Sequence, residues 1–484
     1  MEWPRHKKLC GLKNMEKQKI IFGTDGWRGL LDEELNELNI QRVAQAFADY
    51  MRLKSKYNRV VIGYDNRRNS SVFARLFAEV LRGNRIDVLL SDRIVPTPVV
   101  SFTCIHRKCD AGVMITASHN PPQYNGIKFK AANGSPFATE ETALVESLID
   151  HSLPSFDDRN IEEIDLTTAY LQHIEKLIDF KAIAASGIRP AIDSMAGAGG
   201  TILGDLLNKH GIDSKAIYGT PQADFDGRLA EPVERNLQPL KELLHNGAFS
   251  LGLATDGDAD RLGVMTNSGH WMNVQETILY LAEYYKGQRK VKGPLVKTAS
   301  VTDRMLQLFP GEEVTDVQVG FKYVAEAMLE KQAAFGAEES GGFGFKEHLP
   351  ERDGIFSGLI FLEMLAKSGF KKLDDFIAHK QLQLGEIHYS RIDMENNDPD
   401  RFIALPAMEK DTPEKLGEFR VVSAESYKSS RGLINGLKFR IEGNPRWLLL
   451  RISETEPVVR IYAEGENDNE VQTLLNIGKK LFDN

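Results

Sequence analysis

Three aspartates at alternate positions form the densest cluster of chemistry in the chain. In LGLATDGDADRLGVM, Asp256, Asp258 and Asp260 follow an apolar strand-like run, and alternate residues of an extended loop project to one side. Three converging carboxylates repel one another unless a divalent cation joins them. With no His or Cys in the group, Mg2+ suits it better than a softer metal. An EF-hand is excluded, because Arg261 stands where that loop needs glycine and Asn267 where it needs its bidentate glutamate. The plainer alternative is a solvated Asp-Gly turn. Arg261, directly after the triplet, favours the functional reading, since a guanidinium beside a metal suits phosphoryl oxygens.

A second loop, TASHNPPQYNGIK (Thr116 to Lys128), follows the apolar run AGVMI. Asn-Pro and Asn-Gly make ordinary turns, but the loop also carries chemistry. Ser118 offers a hydroxyl nucleophile, His119 a group that shares a proton, and Lys128 a proton carrier if desolvated. A Ser-His-Asp hydrolase fits poorly: no G-x-S-x-G elbow is present, and adjacent Ser and His rarely bring their functional atoms together. In GAEESGGFGFKEH, Glu338 and Ser340 on a glycine-rich turn suit paired sugar hydroxyls. In RISETEPVVR, Arg451, Ser453, Thr455 and Arg460 gather hydroxyls and guanidiniums into a phosphate cradle. Alone, each of the last two is equally well a surface turn or a strand-edge charge pair.

These residues need elements to hold them. At 484 residues, 42% apolar, the chain is long enough for several domains. A strand, a polar or glycine-bearing turn and a helix recur three times: RVVIGYDNRRNSS with VFARLFAEVL, RPAIDSMAGAGG with TILGDLLNKHG, and GPLVKTASVT with DRMLQLF. In the first helix Phe73, Leu76, Phe77, Val80 and Leu81 share a face. The repeat predicts three related α/β domains with mainly parallel mixed sheets. The last hundred residues carry closely spaced strand-like runs and one closing helical pattern, which predicts a C-terminal α+β domain. The expected division is a loose extension over 1–17, then domains over 18–155, 156–269, 270–385 and 386–484.

Composition removes other classes. Sixty Lys+Arg against 69 Asp+Glu give a net charge of −9, a poor match to nucleic acid or an anionic membrane surface. Three cysteines (Cys10, Cys104, Cys109) without metal-ligand spacing suggest a reducing, cytoplasmic setting. The basic first residues lack a signal-peptide apolar core, and no run approaches the length of a membrane span. DSMAGAGGTIL sits where a dinucleotide fingerprint would, but Ile202 takes the third glycine position; no GxxxxGK[ST] loop occurs. His106, His151, His173, His210 and His245 read as isolated structural residues.

Taken in order, FGTDGWRG, TASHNPPQYNGIK, DGDADR, GAEESGG and RISETEP resemble the α-D-phosphohexomutases from about Ile20 to the C-terminus. The resemblance implies the four domains above, arranged around a central cleft. It implies a phosphorylated Ser118 whose phosphate completes the coordination of one Mg2+ per chain on Asp256, Asp258 and Asp260. The implied reaction interconverts hexose 1-phosphate and 6-phosphate through a hexose 1,6-bisphosphate, which also serves as activator. Lys128 would be general acid/base, helped by His119, with Arg28 and Arg261 at the active centre. Glu338 and Ser340 would grip sugar hydroxyls, and Arg451, Ser453 and Thr455 the non-reacting phosphate. Lys297 and Lys322 match positions that line the cleft. Glu454 and Gly342 depart from the pattern, many relatives having a small residue at the first and some a histidine at the second. Glucose or mannose phosphate is the expected substrate, phosphoglucosamine mutase and a metal-dependent phosphatase the alternative enzymes, and a silent sugar-phosphate binder the non-enzyme reading. The chain is expected as a monomer or homodimer.

Overall fold

A computed structural model describes residues 18–482 except 24, 55–58, 399, 430, 431, 444, 455 and 456. The first domain holds β1 (Trp27–Leu30), β2 (Arg59–Tyr64), β3 (Asp87–Ser91), β4 (Ala111–Ile115), β5 (Tyr124–Ala131) and β6 (Glu162–Ile164), in the order β1-β5-β4-β2-β3-β6; β6, beyond the expected boundary at 155, pairs with β3 and so extends the first sheet. The second holds β7 (Pro190–Asp193), β8 (Lys215–Ile217), β9 (Leu251–Thr255) and β10 (Leu262–Thr266), ordered β10-β9-β7-β8. The third holds β11 (Leu295–Thr298), β12 (Val314–Val317), β13 (Phe335–Glu338) and β14 (Gly342–Phe345), ordered β12-β11-β13-β14.

The three sheets share one plan. β3-β2-β4-β5, β8-β7-β9-β10 and β12-β11-β13-β14 each have three parallel strands and an antiparallel fourth. In each, the turn between the third strand and its antiparallel neighbour carries one of the motifs: Ser118 after β4, the aspartates after β9, and Ser340 after Glu338 of β13. Parallel strands need a helical crossover whereas antiparallel neighbours can be joined tightly. These hairpins connect each repeat's third strand directly to its antiparallel neighbour without a helical crossover.

The predicted amphipathic helix forms over Ser70–Gly83 and buries Phe73, Leu76, Phe77, Val80 and Leu81. Helix Gly354–Ser368 differs: its residues from Gly354 to Leu365 are all buried, as expected for a helix apolar on every side. It lies within the core shared by the second and third domains, with Gly358 close to Leu203, Leu253 and Leu262.

The C-terminal sheet holds β15 (His388–Glu395), β16 (Lys415–Leu416), β17 (Phe419–Lys428), β18 (Ile434–Ile441), β19 (Trp447–Ile452) and β20 (Val458–Gly465), ordered β15-β20-β19-β18-β17-β16 and antiparallel throughout. Helix Asp468–Lys480 packs its Val471, Leu474 and Leu475 on it. Among the described residues no helix is long and apolar enough to cross a membrane. The extension 1–17, with Cys10, lies outside the described residues.

Candidate active site

The three equivalent hairpins meet. Ser118 Oγ donates to Asp256 Oδ2 at 3.1 Å, although the residues come from different domains. Gly257 is required there, because a Cβ on it would lie 2.4 Å from the Ser118 carbonyl oxygen. From the third hairpin Gly341 O accepts from Leu262 N at 2.9 Å, and Gly354 N donates to Ala259 O at 3.0 Å.

Asp256, Asp258 and Asp260 are fully buried, and one carboxylate oxygen from each lies within 4.8 Å of the others. They converge through a tight turn, with Ala259 at φ +56°, and not through the extended segment expected from their alternation. Asp256 Oδ1 accepts from the backbone N–H groups of Asp260 and Arg261 at 3.0 and 3.1 Å, so the carboxylate folds its own loop. Burial, then Asp260 and Asp258, pushes the Asp256 carboxyl well above its usual range.

Lys128 supplies the compensating charge. Its ammonium donates to Asp258 Oδ2 at 2.8 Å and Asp260 Oδ2 at 2.9 Å, and pairs with Asp25 at 3.1 Å. Burial works against that charge, but the three carboxylates override it and raise Lys128 above its ordinary value. The three carboxylates thus favour the charged form of Lys128 in this arrangement. With Oδ2 of Asp258 and Asp260 engaged, the Oδ1 atoms of both are buried and without a hydrogen-bond partner among the described residues. An all-oxygen donor set with two uncommitted carboxylate oxygens fits a hard divalent cation. Thr97 Oγ1 fixes Asp258 from outside, donating to Oδ2 at 2.6 Å.

His119 Nδ1 comes within 3.5 Å of Ser118 Oγ, closer than expected for sequence neighbours. The positive φ of Ser118, 55°, turns the two side chains toward the same space, but the separation is at the outer limit of a hydrogen bond. Burial, reinforced by Arg261 and Arg28, holds the imidazole well below its ordinary pKa and so neutral. Arg261 Nε lies 4.0 Å from Asp256 and 3.9 Å from Asp260. Arg28 donates to Asn120 Oδ1 at 2.7 Å and to Asp25 at 3.1 Å, beside the serine loop.

Ser340 Oγ donates to Glu338 Oε1 at 2.5 Å. The same oxygen accepts from Arg352 at 3.0 Å, and Arg352 reaches Asp25 and Asp260, each at 2.8 Å. One buried guanidinium thus ties carboxylates of three domains together. Sequence reasoning missed Arg352, Asp25 and Thr97. Asp25 lay within the quoted FGTDGWRG, whereas PERDG around Arg352 carries no readable spacing. Lys322 is buried, and desolvation lowers its pKa against the fields of Glu326, Glu454 and Asp25, which draw on three domains.

Lys297 is placed otherwise than expected. Its ammonium is fully buried at the joint of the third and C-terminal domains, 2.9 Å from Asp303 and 2.7 Å from Asp316. Lys438 and Arg440 bind the same two aspartates. Burial opposes its charge, but the aspartates raise Lys297 to about 12. It is an ion-paired joint residue. In the C-terminal sheet Arg451 and Arg460 are register partners on β19 and β20, so their side chains share a face. Like charges directly opposite are unfavourable unless an anion or acid joins them; Asp393 lies 3.4 Å from Arg460, and Arg451 Nε has no hydrogen-bond partner among the described residues. Ser453 lies at the end of this hairpin, its N–H on Val458 O at 2.9 Å, and Thr455 is outside the described residues. Glu454 accepts from Asn435 at 2.7 Å.

Four of the five histidines read as isolated have side-chain partners. His106 stacks on Phe102, His173 lies between Phe102 and His348, His210 stacks on Phe180, and His245 bonds Ser268 O; His151 is exposed.

Comparison with known proteins is consistent across the chain. The phosphoglucomutase/phosphomannomutase profiles match in order: alpha/beta/alpha domain I over residues 19–154, domain II over 168–269, domain III over 273–382 and the C-terminal domain over 403–476. A phosphoglucosamine mutase of Methanocaldococcus jannaschii is 30% identical, covering 95% of this chain and 98% of its own. A phosphoglucomutase/phosphomannomutase of Thermococcus kodakarensis is 29% identical, covering 96% and 98%. The crystal structure of a candidate phosphomannomutase from Thermus thermophilus superposes with a TM-score of 0.83 at 33% identity, covering 97% and 100%.

Proposed function

The chain belongs to the phosphoglucomutase/phosphomannomutase family of phosphohexomutases, which are intramolecular phosphotransferases, and from that premise we propose that it interconverts hexose 1- and 6-phosphates through phosphorylated Ser118. The observation that carries this reading is the Ser118 hydroxyl held against a buried aspartate triplet that keeps two carboxylate oxygens uncommitted.

In the proposed cycle the bond from phosphorus to Ser118 Oγ breaks as a bond forms to the free hydroxyl of the hexose phosphate. The hydroxyl proton leaves to neutral His119, and Lys128, held protonated, protonates the departing serine oxygen. The resulting bisphosphate turns over, and its other phosphoryl group returns to Ser118 by the reverse steps. A Mg2+ on Asp256, Asp258 and Asp260 would stabilise charge on the transferring group when bound. Arg261 and Arg28 add fixed positive charge beside the serine. Glu338 and Ser340 take the sugar hydroxyls, and Arg451, Ser453, Thr455 and Arg460 the distal phosphate. Lys322 contributes charge to the cleft.

Glucose or mannose phosphate is the preferred substrate in this reading. Glucosamine phosphate is the second, favoured by the phosphoglucosamine mutase relative at nearly the same identity as the phosphoglucomutase/phosphomannomutase one. The test is a panel of glucose, mannose, glucosamine and N-acetylglucosamine 1-phosphates, each followed for its 6-phosphate with Mg2+ and a trace of bisphosphate. Release of inorganic phosphate in place of the 6-phosphate would identify a phosphatase.

A further inference from the structure

Arg67 follows β2 and is buried behind the serine loop, only 3% exposed. Its Nη2 donates to the carbonyl oxygens of Ser118 and Asn120, both at 2.6 Å, and its Nη1 to those of Pro121 and Tyr124 at 2.9 and 3.0 Å. Nε lies 3.2 Å from Asp65 Oδ2, while Asp65 Oδ1 accepts from Ser70 Oγ at 2.7 Å and from Arg67 N at 2.9 Å. The guanidinium lies 4.7 Å from the ring centre of Phe225, which belongs to the second domain.

Four carbonyls of one loop turned on one cation is a demanding arrangement. From Ser118 to Gln123 the chain contains two prolines and forms no strand, so the Ser118, Asn120 and Pro121 oxygens lie outside any strand, while Tyr124 opens β5; a buried carbonyl without a donor is costly. A planar fork of five N–H donors meets them at once, where an ammonium is a point charge with three donors. The Ser118 carbonyl is also the atom that approaches Gly257, and Ser118 itself sits at φ 55°, a conformation uncommon for a residue with a side chain. Whatever fixes that carbonyl fixes the direction of the hydroxyl.

We propose that Arg67 is the positioning residue of the phosphoryl-transfer loop, clamping its backbone so that the strained Ser118 presents its hydroxyl to the aspartate triplet. This rests on the function proposed above. A cavity of about 410 Å³ is lined by Asp65, Asn66, Arg67, Ser71 and Arg93 among others. Truncation of Arg67 enlarges this space, which is the route by which a small soluble guanidinium would enter.

The test uses the full chain with Mg2+ and the hexose 1-phosphate that wild type turns over. Arg67→Ala lowers kcat by about 100-fold, the cost of an ångström-scale misplacement, with KM within about twofold, because substrate contacts are untouched. Methylguanidinium at millimolar concentration raises turnover of Arg67→Ala and leaves wild type unchanged. Arg67→Lys, which keeps the buried charge, retains the KM and recovers only part of the kcat. A wild-type kcat in either variant overturns the proposal, as does a parallel loss in kcat and KM that methylguanidinium does not relieve. Amide exchange over residues 116–124 needs no substrate: it quickens in Arg67→Ala, and unchanged exchange counts against Arg67 alone. A wild type inert toward every hexose phosphate, with quickened exchange in the variant, strikes the proposed function and leaves the clamp standing.

Discussion

The ammonium of Lys128 lies 2.8 Å from Asp258 Oδ2, with both side chains buried and on different domains. Each charge offsets the desolvation of the other, and Asp260 and Asp25 share the same ammonium. Lys128→Met removes the cation from a group that also includes Asp25, Asp256 and Asp260. Loss of one partner of a buried pair typically costs about 3–5 kcal/mol. The variant is expected to melt well below wild type in chelator, and Mg2+ should raise its melting temperature more than it raises that of wild type. Thermal scans with and without Mg2+ check this; equal shifts in the two proteins would contradict it.

Asp258→Asn is milder on the fold. It leaves Lys128 paired with Asp25 and Asp260, so stability in chelator should fall less than in Lys128→Met, while turnover falls steeply. Thr97→Val removes the hydroxyl that donates to Asp258 at 2.6 Å without touching the triplet. Loss of such a support typically weakens metal binding about 10–100-fold. The Mg2+ concentration for half-maximal activity should rise accordingly in Thr97→Val, and an unchanged Mg2+ titration would refute the assignment.

Gly342 makes room for Arg352. A Cβ at residue 342 would lie 2.3 Å from Arg352 Cδ and 3.0 Å from Glu338 Oε1. Gly342→Ala therefore forces the guanidinium away from Glu338 and Asp260, and kcat/KM for the hexose phosphate should fall about 100-fold by misalignment. The overpacking itself should cost about 1–3 kcal/mol. Steady-state kinetics beside a urea melt separates the two effects.

His173 gives the stability a pH dependence apart from the active site. Burial, then the neighbouring His348, lowers its pKa from 6.5 to about 4. The folded protein then binds fewer protons than the unfolded chain in that interval, so this contribution is complete above pH 6.5 and is lost as pH falls toward 4. Lys176, His106 and Asp353 also act on the ring, Asp353 in the opposite sense. His173→Phe should flatten the fall in melting temperature between pH 6.5 and 4 relative to wild type; parallel curves would remove His173 as its source.

Local patterns were legible in the sequence, and long-range pairings were not. The three strand-turn-helix segments became three parallel pairs, β2 with β3, β7 with β8 and β11 with β12, because apolar periodicity is a property of neighbouring residues. The aspartate triplet was legible because its members are two residues apart and lie on one turn. Arg352 and Asp25 are 327 residues apart, and nothing local in PERDG indicates that its arginine enters the acidic cluster. Lys297 shows the converse. Its strand position was readable, but its partners Asp303 and Asp316, and the Lys438 and Arg440 that share them, depend on how two domains dock.

Transfer through a covalent serine is tested most directly by the phosphorylation state of the chain itself. Incubation with Mg2+ and hexose 1,6-bisphosphate should raise the intact mass by one phosphoryl group, located on Ser118 by peptide mapping. Addition of hexose 1-phosphate should discharge it, and Ser118→Ala should neither gain the group nor turn over substrate. Continued turnover by Ser118→Ala, or a phosphoryl group on any other residue, would contradict the mechanism.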